Sequence, residues 1–321
     1  MNIAIVTGAS SGMGREFVRQ LGGYVSVDEI WAVARRASAL ETLKAETSVP
    51  VRPIVLDLLE ESSFTELEAL LESEKPNVRL LVNAAGFGKF GAYQKVPVED
   101  DCRMIDLNCK ALLLMTRLCV PYMQPGSHIL ELDSLSAFQP VPYITTYAAT
   151  KAFVLSYSRS MNRELKAKGI RVMAMNPGWV KTEFFNHAFQ TNADNEVRYF
   201  NRLYEAKDVV KTGLNDLYHS KKDCSIHGFP VKFQVFLVKL LPHSLVMNTW
   251  LNQQKKSKEQ QGAYDEMRKG IPALLLTLSL LLCGCRLLPE RIPPCRPHRP
   301  LYRRGAGGLR PAGKRRGVHA H

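Results

Sequence analysis

The sequence predicts a doubly wound α/β protein, a single domain built on one parallel sheet with helices on both faces. Three observations predict it. Short apolar runs rich in Val and Ile alternate with helix-period segments from the first residues to about residue 228. Turns of small residues close four of those runs, at Gly8, Asn83, Ser134 and Pro177, where ligands of such sheets bind. A chain of 321 residues that is 45 % hydrophobic is long enough to bury one large core and carry extensions.

Residues 2–6 read as a buried strand, and Thr7-Gly8-Ala9-Ser10-Ser11-Gly12-Met13-Gly14 follows at once, before a helical segment over 15–21. Strand, glycine turn and helix together suit a dinucleotide pyrophosphate. Glycines let the backbone come close, and the helix N-terminus offers free N–H groups. Residues 30–34 form the second strand, followed directly by Arg35 and Arg36. An NAD site places an acid there for the ribose 2′-hydroxyl, whereas an arginine suits a 2′-phosphate, so NADP(H) is favoured over NAD(H). Residues 51–56 form the third strand and end in Asp57-Leu58, with Asp57 equally suited to cap the next helix. Residues 79–82 form the fourth, ending in Asn83-Ala84-Ala85-Gly86.

Residues 97–123 carry a long helical pattern with Asn108 among apolar neighbours, an amide that needs partners inside a core. It is expected to hold a water or a backbone group behind Lys151. Residues 129–132 are the fifth strand and lead to Ser134. Residues 146–166 form a helix, and 170–175 the sixth strand, followed by Asn176-Pro177-Gly178-Trp179-Val180-Lys181-Thr182. Residues 183–204 fall where a substrate lid would lie. A helix over 206–218 and a last strand over 224–227 complete the sheet. Apolar helical segments at 229–241 and 245–251, broken by Pro242, suit a cleft cover, an oligomer contact or a membrane surface.

The net charge of +13 is unevenly placed. Ten basic side chains and one acidic one lie in 270–321, so the remaining 269 residues carry 33 basic against 29 acidic groups. The body therefore lacks the basic excess of a nucleic-acid binder. Cys102, Cys109, Cys119 and Cys224 show no CxxC spacing, and three of them share one helical segment as small apolar residues. That usage fits a reducing cytoplasm. The eight histidines have no ligand spacing, and no metal is expected.

The chemistry converges on residues 134–151. Tyr147 and Lys151 lie one turn apart on a single helix face. An ammonium close to a phenol favours the phenolate, which brings a group of ordinary pKa about 10 toward useful proton transfer. The spacing alone is weak, because Tyr218/Lys222 repeats it; that second pair, with Glu205 in place of a serine and no strand before it, reads as a solvated helix end.

With these motifs in order, residues 1 to about 255 resemble the single-domain form of the short-chain dehydrogenase/reductase family. The resemblance rests on Thr7-Gly8-x-x-x-Gly12-x-Gly14, Asn83-Ala84-Ala85-Gly86, Asn108, Ser134, Tyr147-x-x-x-Lys151 and Pro177-Gly178. It implies a Rossmann-type fold, and hydride transfer between nicotinamide and a carbonyl or secondary alcohol. Tyr147 would then be the general acid or base. Lys151 would lower its pKa and bind the nicotinamide ribose, Ser134 would orient the carbonyl, and Asn108 would anchor a relay water. Gly8, Ser10, Gly12 and Gly14, with Ser11 and Met13 between them, would line the pyrophosphate. Asp57 and Leu58 would meet the adenine, and Asn83, in the turn with Ala84, Ala85 and Gly86, the adjoining ribose. Val180 and Thr182, beyond Pro177 and Gly178, would touch the carboxamide. Ser11 stands where many NADP-using members carry a basic residue, which leaves the phosphate preference to Arg35 and Arg36. Asn83-Ala84 replaces the commoner Asn-Asn. The family also implies a homodimer or homotetramer. The helices after 229 resemble those of 3-oxoacyl and 17β-hydroxysteroid reductases, pointing to a long acyl or sterol substrate.

The sequence thus divides into a catalytic domain (1–228), apolar helices beside the cleft (229–269) and a basic Leu/Pro/Arg-rich tail (270–321). The apolar stretch 271–285 in the tail is shorter than the roughly 18–20 residues of a spanning helix. The tail reads as disorder or as read-through of a GC-rich frame, with a membrane anchor or a nucleic-acid arm as alternatives. Two rival functions remain: a non-catalytic dinucleotide sensor or scaffold on this fold, and a membrane-associated interaction protein.

Overall fold

The computed structural model describes residues 1–189 and 195–270. The expectations for the tail fall almost wholly outside them, as does part of the lid segment.

Seven parallel strands form the central sheet in the order β3-β2-β1-β4-β5-β6-β9. They are β1 (Asn2–Thr7), β2 (Glu29–Ala34), β3 (Val51–Val55), β4 (Asn77–Asn83), β5 (His128–Leu132), β6 (Arg171–Met175) and β9 (Cys224–Ser225). The central strand β1 is buried from Ile3 to Thr7, as a run of Ile, Ala and Val covered on both faces requires. Its residues alternate between two cores. Ala4 and Val6 pack with Phe17 and Val18 of α1 (Gly12–Gln20), with Leu21 just beyond it, and with Val209 and Leu214 of α8 (Ala206–His219). Ile3 and Ile5 pack with Leu67 and Leu71 of α3 (Glu61–Glu74) and with Met115 and Cys119 of α5 (Leu112–Cys119). The strand order reverses between β1 and β4, which opens a crevice at the carboxyl ends.

Each expected sheet strand is present. The last is shorter than expected, two residues instead of four. The pattern over 97–123 is not one uniform helix. It runs as α4 (Val98–Ile105), a π-helical turn (Asp106–Ala111), α5, and a 3₁₀ turn (Val120–Tyr122) containing Pro121. Cys109 and Cys119 are buried there, but Cys102 is exposed and is no core residue. α6 (Thr145–Glu164) carries Tyr147 and Lys151.

A second, two-stranded sheet was not anticipated. β7 (Trp179–Lys181) pairs in parallel with β8 (Leu203–Glu205), and the segment between them carries α7 (Phe184–Ala188). The expected helix at 245–251 is the start of a far longer one, α10 (His243–Gly270), which follows α9 (Phe229–Leu240). Pro242 separates the two, since it ends one helix and sits before the first turn of the next. α10 ties down the lid segment: the Gln254 Oε1 accepts from the Arg198 and Tyr199 N–H groups at 2.8 and 2.9 Å.

Candidate active site

A cavity of about 550 Å3 runs along the carboxyl ends of the strands. Its wall contains Gly8, Ser10, Ser11, Gly12, Met13 and Gly14 at one end and Ser134, Tyr147 and Lys151 at the other. Arg35, Arg36, Asp57, Leu58, Ala84, Ala85, Gly86, Pro177, Gly178, Val180 and Thr182 complete the expected set around it. Two expected residues, Asn83 and Asn108, do not reach the cavity.

The glycine turn is shaped by close backbone contact. A Cβ on Gly14 would lie 2.3 Å from the Gly8 carbonyl oxygen. Gly8 has φ +66°, and a Cβ there would meet the Ala84 backbone at 2.8 Å. The turn and the end of β4 are thus pressed together, with the Thr7 Oγ1 accepting from the Ala84 and Ala85 N–H groups at 3.0 Å each. Ser11, the N-cap residue of α1, makes no side-chain cap hydrogen bond, so the first-turn N–H groups of that helix are left to the cavity. Arg36 stands over the turn, donating from Nε and Nη2 to the Ser10 Oγ at 3.3 Å and pairing with Glu183 at 3.2 Å. Arg35 pairs with Asp57 at 3.5 Å. Asp57 is no helix cap. Its Oδ1 accepts from the Leu59 N–H at 3.1 Å in a turn ahead of α3, whose N-cap is Glu60. Uncapped helix N–H groups, guanidiniums and a close-packed glycine turn are a donor set that fits a phosphorylated dinucleotide.

At the other end, the Ser134 hydroxyl accepts from the Ser136 N–H at 3.2 Å and bonds the Ser136 hydroxyl at 3.0 Å. It also hydrogen-bonds the Tyr147 phenol, which draws that pKa down. Burial is the larger effect, and it leaves Tyr147 above the ordinary tyrosine value. Lys151 stands beside that phenol. The amine donates to the Leu132 carbonyl at 2.7 Å and lies 5.7 Å from the phenol ring centroid. It is itself buried, which lowers its pKa against the pull of Asp133, Cys109 and Glu131.

Sequence reasoning missed those acids. Glu131 and Asp133 flank Leu132, the last residue of β5, and are both buried. Burial raises Asp133 well above the usual carboxylate range, opposed by Lys151, the Ser134 N–H and Asn176. Asn176 donates to one of its oxygens. Glu131 is pushed up to about 7 by burial and accepts from the Thr116 hydroxyl at 2.9 Å. A carboxyl within an apolar strand was the available signal, since such groups are seldom buried without a role.

Asn83 corrects an expectation. It pairs in register with Glu131 and faces α5, with Nδ2 donating to the Thr116 Oγ1 at 3.1 Å. Its side chain therefore turns away from the cavity. Asn108 sits on the π-helical turn. Its Oδ1 accepts from the Phe87 N–H at 3.1 Å, and its Nδ2 donates to the Phe87 carbonyl at 2.9 Å and the Thr150 hydroxyl at 3.1 Å. It holds a backbone segment beside Tyr147, one of the two alternatives the sequence left open.

The far end of the cavity is aromatic. Phe90, Phe184, Trp179 and Trp250 line it with Val141 and Ile144. Phe90 and Phe184 lie 5.7 and 5.5 Å from the Tyr147 ring, centroid to centroid. The lid segment and α10 supply much of this wall, with Trp250 anchored through Nε1 to the Pro142 carbonyl at 3.0 Å.

The family model for short chain dehydrogenases matches residues 2–193, more than half of the chain. The chain belongs to that family. The short-chain dehydrogenases are oxidoreductases, and two curated relatives agree. A probable short-chain type dehydrogenase/reductase of Helicobacter pylori, VdlC, is 27 % identical, with 75 % of this chain and 94 % of the relative covered. The NADP-dependent 3-hydroxy acid dehydrogenase YdfG of Escherichia coli strain K12 is 36 % identical, with 59 % and 77 % covered. Among solved short-chain dehydrogenases, one from Sphingobium yanoikuyae in complex with NADPH superposes with a TM-score of 0.63. It is 23 % identical, with 85 % of this chain and 97 % of that one covered, a likeness of fold.

Proposed function

We propose that this short-chain dehydrogenase transfers hydride between NADP(H) and an apolar ketone or the matching secondary alcohol. One observation carries the reading. The Tyr147 and Ser134 hydroxyls and the Lys151 amine line the same cavity as the glycine turn. The nicotinamide, when bound, supplies or accepts the hydride. Ser134 holds the substrate oxygen, and Tyr147 gives it a proton or takes one away. The buried Lys151 supplies positive charge beside that oxygen and a donor for the nicotinamide ribose. Gly8, Ser10, Gly12 and Gly14 bind the pyrophosphate, Asp57 and Leu58 flank the adenine, and Val180 and Thr182 hold the carboxamide.

Arg36 favours the phosphorylated cofactor, because its guanidinium already rests at Ser10 and is partly exposed. The name of the Escherichia coli relative supports the same choice. The aromatic far wall favours a long or ring-shaped apolar substrate over a small polar one. A non-catalytic dinucleotide binder would need no serine and tyrosine hydroxyls aimed into one cavity.

The test is reduced-nicotinamide consumption with a panel of ketones, sterols and 3-oxoacyl thioesters. The expected result is turnover of at least one carbonyl with NADPH in preference to NADH. Binding of neither cofactor would overturn the reading.

A further inference from the structure

α9 is apolar on two sides. Val231, Val235 and Val238 are buried against the domain. The opposite side carries Phe229, Phe233, Phe236 and Leu240, all exposed, with Phe229 at 79 % and Leu240 at 65 %. Spacings of four, three and four residues put these four side chains on one face. Leu245, at the start of α10, extends the exposed apolar surface. A helix that is apolar all round is normally covered all round. Exposed Phe and Leu in a contiguous patch mark a surface that meets something.

The charge of the segment says what that partner is. Between Asp223 and Glu259 there is no acidic side chain, while Lys232, Lys239, Lys255, Lys256 and Lys258 all fall there. Lys232 and Lys239 are exposed and share one flank of the apolar face. A second copy of the chain would bring no carboxylate from this segment to meet those lysines. A layer of anionic lipid headgroups meets them and takes up the phenylalanines at its acyl boundary.

We propose that the outer face of α9 is a docking surface for an anionic lipid bilayer. The helix is fixed to the domain by its valine face, so the apolar plate is presented rigidly. The protein rests on the bilayer without crossing it, and among the described residues no helix is long and apolar enough to cross one. Gln234 on α9 and Trp250 on α10 also line the cavity, so docking brings a wall of the cavity to the lipid surface. The proposal stands on this surface alone and not on the oxidoreductase reading.

The experiment is co-sedimentation of the full chain with vesicles of phosphatidylglycerol and phosphatidylcholine, and with phosphatidylcholine alone. The wild type is expected to pellet with the anionic vesicles and only weakly with the neutral ones. The double variant Phe236→Ser, Leu240→Ser should lower the partition coefficient about tenfold or more, and Lys232→Glu with Lys239→Glu should lower it similarly. All four side chains are exposed, and an unchanged melting temperature, measured alongside, shows that the fold is kept. Equal partition of wild type and both variants would place the contact elsewhere and overturn the proposal. So would absence of vesicle binding, including the case of a dimer that the serine variant dissolves.

Discussion

Tyr147 and Tyr218 each precede a lysine by four residues, and the two pairs sit in opposite surroundings. Tyr147 and Lys151 lie in the first turns of one helix, beside the end of β5. Tyr218 is next to the last residue of α8, and Lys222 falls beyond that helix, so the same interval is not a helical turn there. The Tyr218 ring packs 4.5 Å from His128, its hydroxyl is buried without a partner among the described residues, and burial raises its pKa. The expectation of a wholly solvated helix end was therefore wrong for Tyr218. It holds better for Lys222, which is half-exposed and pairs with Asp216 at 2.8 Å. Both phenols are raised by burial, so pKa does not separate the pairs. What separates them is a second hydroxyl, Ser134, and a cavity. The second pair too follows a strand, since Glu205 ends β8 against expectation, so a strand end alone does not make the motif a site.

The comparison breaks most sharply at the lysines. Lys151→Ala removes a buried amine from Leu132 and from the neighbourhood of Asp133, and should cost turnover about 10³-fold or more. Lys222→Ala removes an ion pair worth about 1 kcal/mol or less, with turnover unchanged. Steady-state rates and denaturant melts of both variants check this.

The layer beneath Lys151 gives a pH signature opposite in sign to that of the Tyr218 region, where burial lowers His128 to about 4 and stability rises with pH up to the ordinary histidine range. Folded Glu131 titrates near 7 against an ordinary 4.5, so it keeps a proton that the unfolded chain has released. Between those values the folded state binds more protons, and stability falls as pH rises. The loss is complete above about pH 7 and is on the order of 3 kcal/mol. Between about pH 5 and pH 8 the melting midpoint of the wild type should drop relative to that of Glu131→Gln, a difference that cancels the opposing histidine contribution common to both.

Asn108→Ala strips partners from the Phe87 backbone and the Thr150 hydroxyl, at a cost of about 1–3 kcal/mol. Loosening the segment beside Tyr147 should also lower kcat, as steady-state kinetics would record. The smallest expected effect is at Arg36. Arg36→Ala should lower the preference for NADPH over NADH by roughly tenfold in kcat/KM, the worth of a partly exposed phosphate contact.

The legible parts of this molecule are those that the backbone constrains. A strand, a glycine turn and a helix leave few alternatives, and Gly14, which has no room for a Cβ, shows why the turn is written in glycine. The side chains that failed to follow the sequence reading were decided by direction. Asn83 ends β4 on the same side as Leu81, two residues back, which packs in the core under α5. Alternation along the strand could have shown that it points away from Gly8. The Leu132 carbonyl as partner of Lys151, which lines the cavity as expected, could not be read so, because a four-carbon stem chooses among several acceptors within reach. β7 and β8, three residues each, are too short to leave a periodic signal. The substrate wall depends on how α7, α9 and α10 fold back over the sheet, which no local pattern fixes.

The most direct measurement sets the two tyrosines side by side: NADPH binding by fluorescence titration and NADPH oxidation with the best carbonyl of the panel, for Tyr147→Phe and Tyr218→Phe. Tyr147→Phe should bind NADPH within a few-fold of the wild type and lose oxidation by about 10²- to 10⁴-fold, while Tyr218→Phe keeps both. Wild-type oxidation by Tyr147→Phe would contradict the account, because the proton would then have another carrier.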